Sequence, residues 1–106
     1  MVGNRKAETT AHSILKYLIA SLIEKKGHKA VIECQISQDS IIDVFDFTDK
    51  IAYEVQTIKN KRIEEDKLRK YLRASVKDVF FIYTKEFSIY LSASSLYKLL
   101  KFKLGL

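Results

Sequence analysis

Several residue types are scarce in this chain, and each scarcity narrows what the protein can be. Among 106 residues there are one cysteine, three glycines, and no proline or tryptophan. The single cysteine, Cys34, excludes an internal disulfide and is compatible with a reducing compartment. Its apolar, strand-like surroundings predict a small buried hydrophobic residue rather than a nucleophile. No low-complexity tract or linker interrupts the sequence, which predicts a single domain over residues 1–106.

Long apolar runs are also missing. The most apolar segment, residues 17–23, is interrupted by Ser21 and is far shorter than the roughly 20 residues that cross a bilayer. The first ten residues, MVGNRKAETT, lack the apolar stretch of a signal peptide. We therefore expect no membrane partner and a cytoplasmic location.

The charge of the chain is unbalanced toward basic residues. Nineteen Lys and Arg residues face 13 Asp and Glu residues, for a formal net charge of +6. A hydrophobic content of 47% argues against disorder, so the excess belongs to a folded surface. A basic surface favours a polyanionic partner such as nucleic acid, but charge alone is equally compatible with a protein that binds nothing acidic.

Hydrophobic periodicity predicts the order of helices and strands. The predicted elements are a helix at 7–26, strands at 29–36, 40–47 and 51–57, a helix at 61–73, a strand at 79–84, a strand or extended return at 86–91, and a helix from Ala93 capped by Ser94 or Ser95. The run VFFIYT (79–84) is continuously apolar, as expected for a strand covered on both faces. The second helix is expected to cross over the sheet, so that the fourth strand runs parallel to the third. The predicted fold class is therefore α/β, with an α-β-β-β-α-β core in which helices flank a mixed sheet.

The second and third predicted strands carry three polar side chains that should meet. A two-residue hairpin loop at 48–49 or 49–50 places Asp43 opposite Glu54 or Gln56, respectively. Because side chains alternate along a strand, either register gathers these three residues on one face. The other face is then apolar and consists of Ile42, Val44, Tyr53 and Val55.

Two converging carboxylates repel each other unless a cation lies between them, so the arrangement indicates a metal site. The alternative is a solvated sheet face with two incidental acids. Glu33 would share this face from the neighbouring strand, more as a structural residue than as a ligand. His12 and His28 have no partners at ligand spacing, and both are expected at the surface.

The acid pattern resembles the PD-(D/E)XK nuclease superfamily, which has a restriction-endonuclease-like fold. The matching residues are Ile42-Asp43 for the first acid and Glu54-Val55-Gln56 for the second half. The likeness spans nearly the whole chain, since an amphipathic helix with an early acid, Glu8, precedes the strands and a basic helix follows them. This order is closest in look to the small archaeal Holliday-junction resolvases.

The resemblance implies a catalytic set and a cofactor. Asp43, Glu54 and the backbone carbonyl of Val55 would bind Mg²⁺ or Mn²⁺, and Glu8 would bind the ion through water or position a second one. Gln56 stands where most members have lysine, and a neutral amide orients water but stabilises negative charge less well. The substitution therefore leaves two outcomes open, an active nuclease and a DNA-binding fold that does not cut.

Basic residues supply the predicted nucleic-acid contacts. Lys59, Lys61 and Arg62 follow the acid pattern directly, where a phosphate backbone would pass, and Lys29 belongs to a second group. The third group, residues 67–73, is expected to be a solvated helix face. The C-terminal leucines and Phe102 are expected to complete the core or to form a homodimer seam.

The sequence thus predicts a metal-dependent endonuclease that hydrolyses DNA phosphodiester bonds, with structured or junction DNA as a candidate substrate. The alternatives are a catalytically silent DNA-binding module of the same fold and a small interaction protein whose acids keep a sheet face soluble.

Overall fold

The computed structural model describes residues 10–87 and 92–106, which form a four-stranded mixed sheet flanked by helices. The elements are α1 Thr10–Lys25, β1 Ala30–Ser37, β2 Ser40–Asp46, β3 Ile51–Gln56, α2 Lys61–Arg73, β4 Asp78–Tyr83, a single 3₁₀ turn Thr84–Glu86, and α3 Ala93–Leu104. This confirms the predicted α/β class and the α-β-β-β-α-β order. Glu8 and most of the strand expected at 86–91 lie outside the described residues.

The sheet has the strand order β1-β2-β3-β4. The first three strands are antiparallel neighbours, and β4 pairs parallel to β3 because α2 crosses over between them, as predicted. Among the described strands, β4 lies at the end of this order. Val79 and Phe81 pack on the α2 side of the sheet and Ile82 on the α1 side, so the expectation of a strand covered on both faces is confirmed except at Phe80, which is 40% exposed.

The β2–β3 hairpin has a longer turn than expected. The last pair is Asp46 opposite Ile51, which leaves four residues, 47–50, in the turn. Lys50 has a φ of 61°, a left-handed conformation that helps to reverse the chain. Val44 lies opposite Tyr53, and this register corresponds to the predicted alternative in which Asp43 faces Glu54.

Two apolar clusters hold the layers together, one on each side of the sheet. α1 and α3 cover one side, where Leu15, Ile19 and Ile23 pack with Leu96 and Leu100. α2 covers the other side through Tyr71. Fully burying one such leucine or isoleucine contributes about 1.5–3 kcal/mol. None of the helices within residues 10–87 and 92–106 has the length and apolar character that a bilayer crossing requires.

One prediction about the sheet faces is wrong. Ile42 was expected beside Val44, yet Val44 packs under α1 while Ile42 packs under α2. The reason lies in β1, where Glu33 adopts a φ of 54° and interrupts the alternation of side chains. Ile32 and Cys34 flank Glu33 and likewise belong to opposite clusters. Both strands therefore exchange faces at the level of Glu33 and Asp43.

Local signals explain where the helices begin and end. Gly27, at a φ of 84°, follows α1 and permits the left-handed turn that ends it. Asn60 caps α2 by accepting a hydrogen bond from the Ile63 amide at 3.1 Å. Ser92, rather than the expected Ser94 or Ser95, caps α3 by accepting from the Ser95 amide.

Candidate active site

Asp43 and Glu54 meet where β2 and β3 separate. Backbone pairing between these strands runs only from Asp46–Ile51 to Val44–Tyr53. Beyond that point the side chains replace the ladder. The Asp43 amide donates to Glu54 Oε2 at 2.8 Å, and the Val55 amide donates to Asp43 Oδ2 at 2.9 Å. The predicted convergence of the two acids is therefore present, at a gap in the sheet rather than on a flat face.

The two carboxylates have different environments. Glu54 is 1% exposed, whereas Asp43 is partly exposed. Burial and, second, the negative charge of Asp43 raise the pKa of Glu54, while Lys67 and the hydrogen bond from Asp43 oppose that shift. Burial and the charge of Asp43 thus outweigh the stabilisation that Lys67 gives the ionised Glu54 carboxylate.

Lys67 supplies the cation nearest to Glu54. Its Nζ donates to Glu54 Oε1 at 2.9 Å from α2, and its side chain is only 33% exposed. The sequence prediction placed Lys67 on a solvated face, which is wrong for this residue. The missed signal is its spacing, because Lys67 lies one turn before the buried Tyr71 and hence on the inward side of α2. Burial and Glu54 also raise the pKa of Tyr71.

His12 reaches the same gap from α1. Its Nε2 lies 2.9 Å from the Val55 carbonyl oxygen and 3.5 Å from Asp43 Oδ2. A carbonyl oxygen only accepts hydrogen bonds, so Nε2 must carry a proton in this contact. The expectation that His12 lies at the surface is wrong. Its spacing of three and seven residues from the buried Leu15 and Ile19 was the available signal.

Two further side chains lie near these acids. Lys16, one turn after His12, is buried and donates to Glu33 Oε2 at 2.7 Å. Gln56 follows Glu54 by two residues and so belongs to the same side of β3. Its Nε2 is buried and has no hydrogen-bond partner among the described residues. A free amide donor is thus held close to the acid pair.

A basic cavity of about 530 Å³ opens between α2 and the start of β2. Arg62, Lys67, Arg69 and Lys70 line it together with the acids Asp39 and Asp66. Lys67 lies between this cavity and Glu54, since it lines the one and contacts the other. The basic side chains of the cavity therefore lie on the α2 side of the acid pair.

The predicted nucleic-acid contacts separate into two places. Lys59, Lys61 and Arg62 are exposed between the end of β3 and the first turn of α2, next to the acids. Lys29 is also exposed, but its amide donates to Thr48 Oγ1, so it lies at the turn end of the hairpin. The structure does not bring Lys29 beside the other three.

The donor set fits a hard divalent cation in part. Asp43 Oδ2 and the Val55 carbonyl oxygen both lie within 3.5 Å of His12 Nε2, so two oxygen ligands already converge on one point. Glu54 instead directs Oε1 at Lys67. Within the described residues, neither Asp43 nor Glu54 belongs to a cluster of three histidine, cysteine or acidic side chains close enough to share a metal ion. A bound cation would therefore have to displace the contacts that His12 and Lys67 make.

Comparison with protein-family models, with curated proteins and with solved structures gives no match. The likeness to the nuclease superfamily thus stays a prediction based on the acid pattern and the order of elements.

Proposed function

We propose that this protein is a metal-dependent endonuclease that hydrolyses DNA phosphodiester bonds, in the manner of the PD-(D/E)XK superfamily. The observation that carries the proposal is the pairing of Asp43 with Glu54 at the gap between β2 and β3. Glu54 is also buried and carries a raised pKa, and perturbed pKa values of this kind cluster at functional sites.

Asp43, Glu54 and the Val55 carbonyl would hold the Mg²⁺ or Mn²⁺ ion. When bound, such an ion supplies positive charge for the phosphate and makes a coordinated water more acidic. The amides of Asp43 and Val55 fix the carboxylate orientations before any ion arrives, because each donates to the other acid. The oxygen ligands are thus held in place by the backbone.

Lys67 and Gln56 share the role that a single lysine has in most of the superfamily. Lys67 brings positive charge to Glu54 from α2, next to the space where a scissile phosphate would lie. The free Nε2 of Gln56 can donate a hydrogen bond to the attacking water or to a phosphate oxygen. The charge and the hydrogen bond thus come from two residues.

The basic cavity and the exposed Lys59, Lys61 and Arg62 support DNA as the substrate, since such side chains position a phosphate backbone without reading its sequence. Structured or junction DNA remains our candidate, cut by a homodimer that addresses both strands. This substrate would place the protein in the cytoplasm, and the free thiol of Cys34 is compatible with that compartment.

One observation favours the alternative of a silent DNA-binding module. Glu54 is buried and paired with Lys67, so binding a cation costs that ion pair. In a silent module, Lys67 would permanently neutralise Glu54, and the fold would bind DNA without cutting.

Nicking of supercoiled plasmid separates these functions. We expect nicking with Mg²⁺ or Mn²⁺ that a chelator stops, and at least a roughly 100-fold loss in Asp43→Asn and Glu54→Gln, with DNA affinity retained. Glu24→Gln, at an exposed acid near the end of α1, is the matched control. A four-way junction beside a linear duplex of equal length tests the structured substrate.

Each of the other experimental outcomes supports a different function for the protein or contradicts the proposed site. DNA binding without nicking in either metal supports the silent module. The absence of DNA binding at low salt supports the interaction protein. Nicking that survives both substitutions contradicts the site.

A further inference from the structure

A second group of metal-binding donors lies at the turn end of the β2–β3 hairpin. His28 Nδ1 lies 2.8 Å from Asp46 Oδ2 and 3.7 Å from Asp49 Oδ2. One ligand atom from each of these three residues lies within 4.8 Å of the other two. Asp46 is three residues from Asp43 along β2, a distance of about 10 Å in an extended strand. The group is therefore separate from the candidate active site.

The backbone fixes the central ligand. Asp46 is 1% exposed, and its Oδ1 accepts the amides of Thr48 and Asp49 at 3.0 and 3.1 Å. These two bonds hold the carboxylate so that Oδ2 faces His28. Asp49, 47% exposed, leaves one side of the group open to solvent. The side chains of Asp46 and His28 are thus held in place, whereas that of Asp49 can move to complete the coordination of an ion.

The spacing and chemistry suit a transition metal. Tetrahedral zinc sites have ligand distances of about 2.0–2.2 Å, which separates the ligand atoms by roughly 3.4 Å. The two contacts of His28, at 2.8 and 3.7 Å, lie on either side of that value. An imidazole nitrogen favours Zn²⁺ or Co²⁺ over Mg²⁺ and Ca²⁺, which prefer oxygen alone. One histidine, two carboxylates and a water would complete four ligands.

The local charge also favours a cation. Within residues 10–87 and 92–106, the ion pairs of Asp46 and Asp49 are with His28 alone. The ammonium of Lys50 lies over the Phe47 ring at 3.6 Å rather than against either carboxylate. Neither carboxylate of the group is therefore paired with a lysine or an arginine within that part of the chain.

We propose that His28, Asp46 and Asp49 form a structural site for Zn²⁺ or a similar transition metal. The ion would tie the loop after α1 more firmly to the β2–β3 turn, which His28 and the backbone and side chain of Lys29 already contact. The site is independent of nuclease activity.

Co²⁺ is the probe, because its visible absorption reports tetrahedral coordination and Zn²⁺ displaces it. We expect the full chain to bind Co²⁺ with the strong visible bands of tetrahedral coordination, which equimolar Zn²⁺ removes and excess Mg²⁺ does not. At a Zn²⁺ concentration 100 times Kd, Tm should rise by roughly 10 °C or more. Asp49→Ala and His28→Gln should weaken Co²⁺ binding at least about tenfold, whereas Asp43→Asn should leave it unchanged.

Asp49→Ala keeps the test decisive if His28→Gln fails to fold, since the Asp49 side chain is half exposed and its amide still donates to Asp46. The absence of visible bands in the wild-type chain overturns the proposal. So does Co²⁺ binding that survives Asp49→Ala, or binding that Asp43→Asn abolishes, because the metal would then occupy another site.

Discussion

Asp43 and Glu54 each accept a hydrogen bond from the strand that carries the other. The Asp43 amide donates to Glu54, and the Val55 amide donates to Asp43. The two carboxylates therefore occupy the place of two backbone carbonyls at the point where β2 leaves β3. Metal ligands and strand pairing are thus the same atoms, so substitutions at these positions should change stability as well as activity.

Stability should depend on pH through Glu54. Burial and Asp43 raise its pKa in the folded protein above the ordinary value of 4.5, so the native state binds this proton more tightly than the unfolded chain does. The contribution of Glu54 to the free energy of unfolding is thus most favourable below pH 4.5. It is lost as the pH rises through the pKa of Glu54 in the folded protein. Glu54→Gln should remove this loss, and its advantage in Tm over the wild type should grow as pH increases from 4.5. Thermal melts between acidic and neutral pH measure the difference. A difference in Tm between Glu54→Gln and the wild type that does not change with pH contradicts the assignment. So does an equal pH dependence in the control variant Glu65→Gln, at an exposed residue.

Lys67 should matter more than its neighbours on α2. Lys67→Met keeps the aliphatic stem but leaves Glu54 buried without its cation, so we expect a destabilisation of about 1–3 kcal/mol. If Lys67 supplies the missing charge, plasmid nicking should also fall by about 100-fold. Lys70→Met is the control, since Lys70 pairs with Asp66 on the same helix. Equal nicking by the two variants would indicate that Lys59, Lys61 or Arg62, rather than Lys67, supplies the positive charge.

The position of His12 predicts a metal preference. If His12 exchanges its hydrogen bond to the Val55 carbonyl for a bond to the ion, its imidazole nitrogen favours a transition metal over Mg²⁺. In His12→Ala, the ratio of the nicking rate in Mn²⁺ to that in Mg²⁺ should therefore fall. His28→Ala, the other histidine of the chain, should leave the ratio unchanged. A ratio that both variants preserve would limit His12 to its hydrogen bond with Val55.

The proximity of Asp43 and Glu54 could be predicted from the sequence, because strand alternation and a short hairpin are local properties. The face on which Ile42 lies could not be predicted, since nothing in the amino-acid sequence indicates that Glu33 adopts a positive φ. That single backbone angle reverses which face the neighbouring side chains occupy. Strand alternation therefore predicted that Asp43 and Glu54 lie close together, but not that the alternation breaks at Asp43, which places Ile42 on the other face.

His12 and Lys67 were missed for a different reason. Both are polar residues on amphipathic helices, where the ordinary expectation is a solvated face. Their roles depend on how α1 and α2 dock on the sheet, which is tertiary information. Each nevertheless lies one helical turn from a buried neighbour, Leu15 and Tyr71 respectively. Polar residues at such inward positions, opposite predicted acids, are the signal to search for.

DNA affinity should depend on salt through the residues between β3 and α2. Each phosphate contact contributes a slope of about −0.9 to the logarithm of affinity against the logarithm of salt concentration. Replacing Lys59, Lys61 and Arg62 together with Gln should reduce the magnitude of the slope by up to about 3. The control replaces Lys98 and Lys101 on α3, which covers the opposite side of the sheet from α2. Fluorescence anisotropy over a salt series measures both. Equal slopes would remove the three residues from the interface.

The outer face of α3 decides the homodimer prediction. Leu96 and Leu100 are buried in the core, but Phe102 is 89% exposed and Leu99, one turn before it, is 43% exposed. Exposed aromatic side chains of this kind favour association. Phe102→Glu should therefore convert a dimer to a folded monomer in light scattering after gel filtration, because the residue is exposed and contributes little to the core of the protomer. Tyr17→Glu, an exposed aromatic residue on α1, is the matched control. A wild-type chain that is already monomeric at high concentration contradicts the prediction, as does a dimer that Phe102→Glu leaves intact.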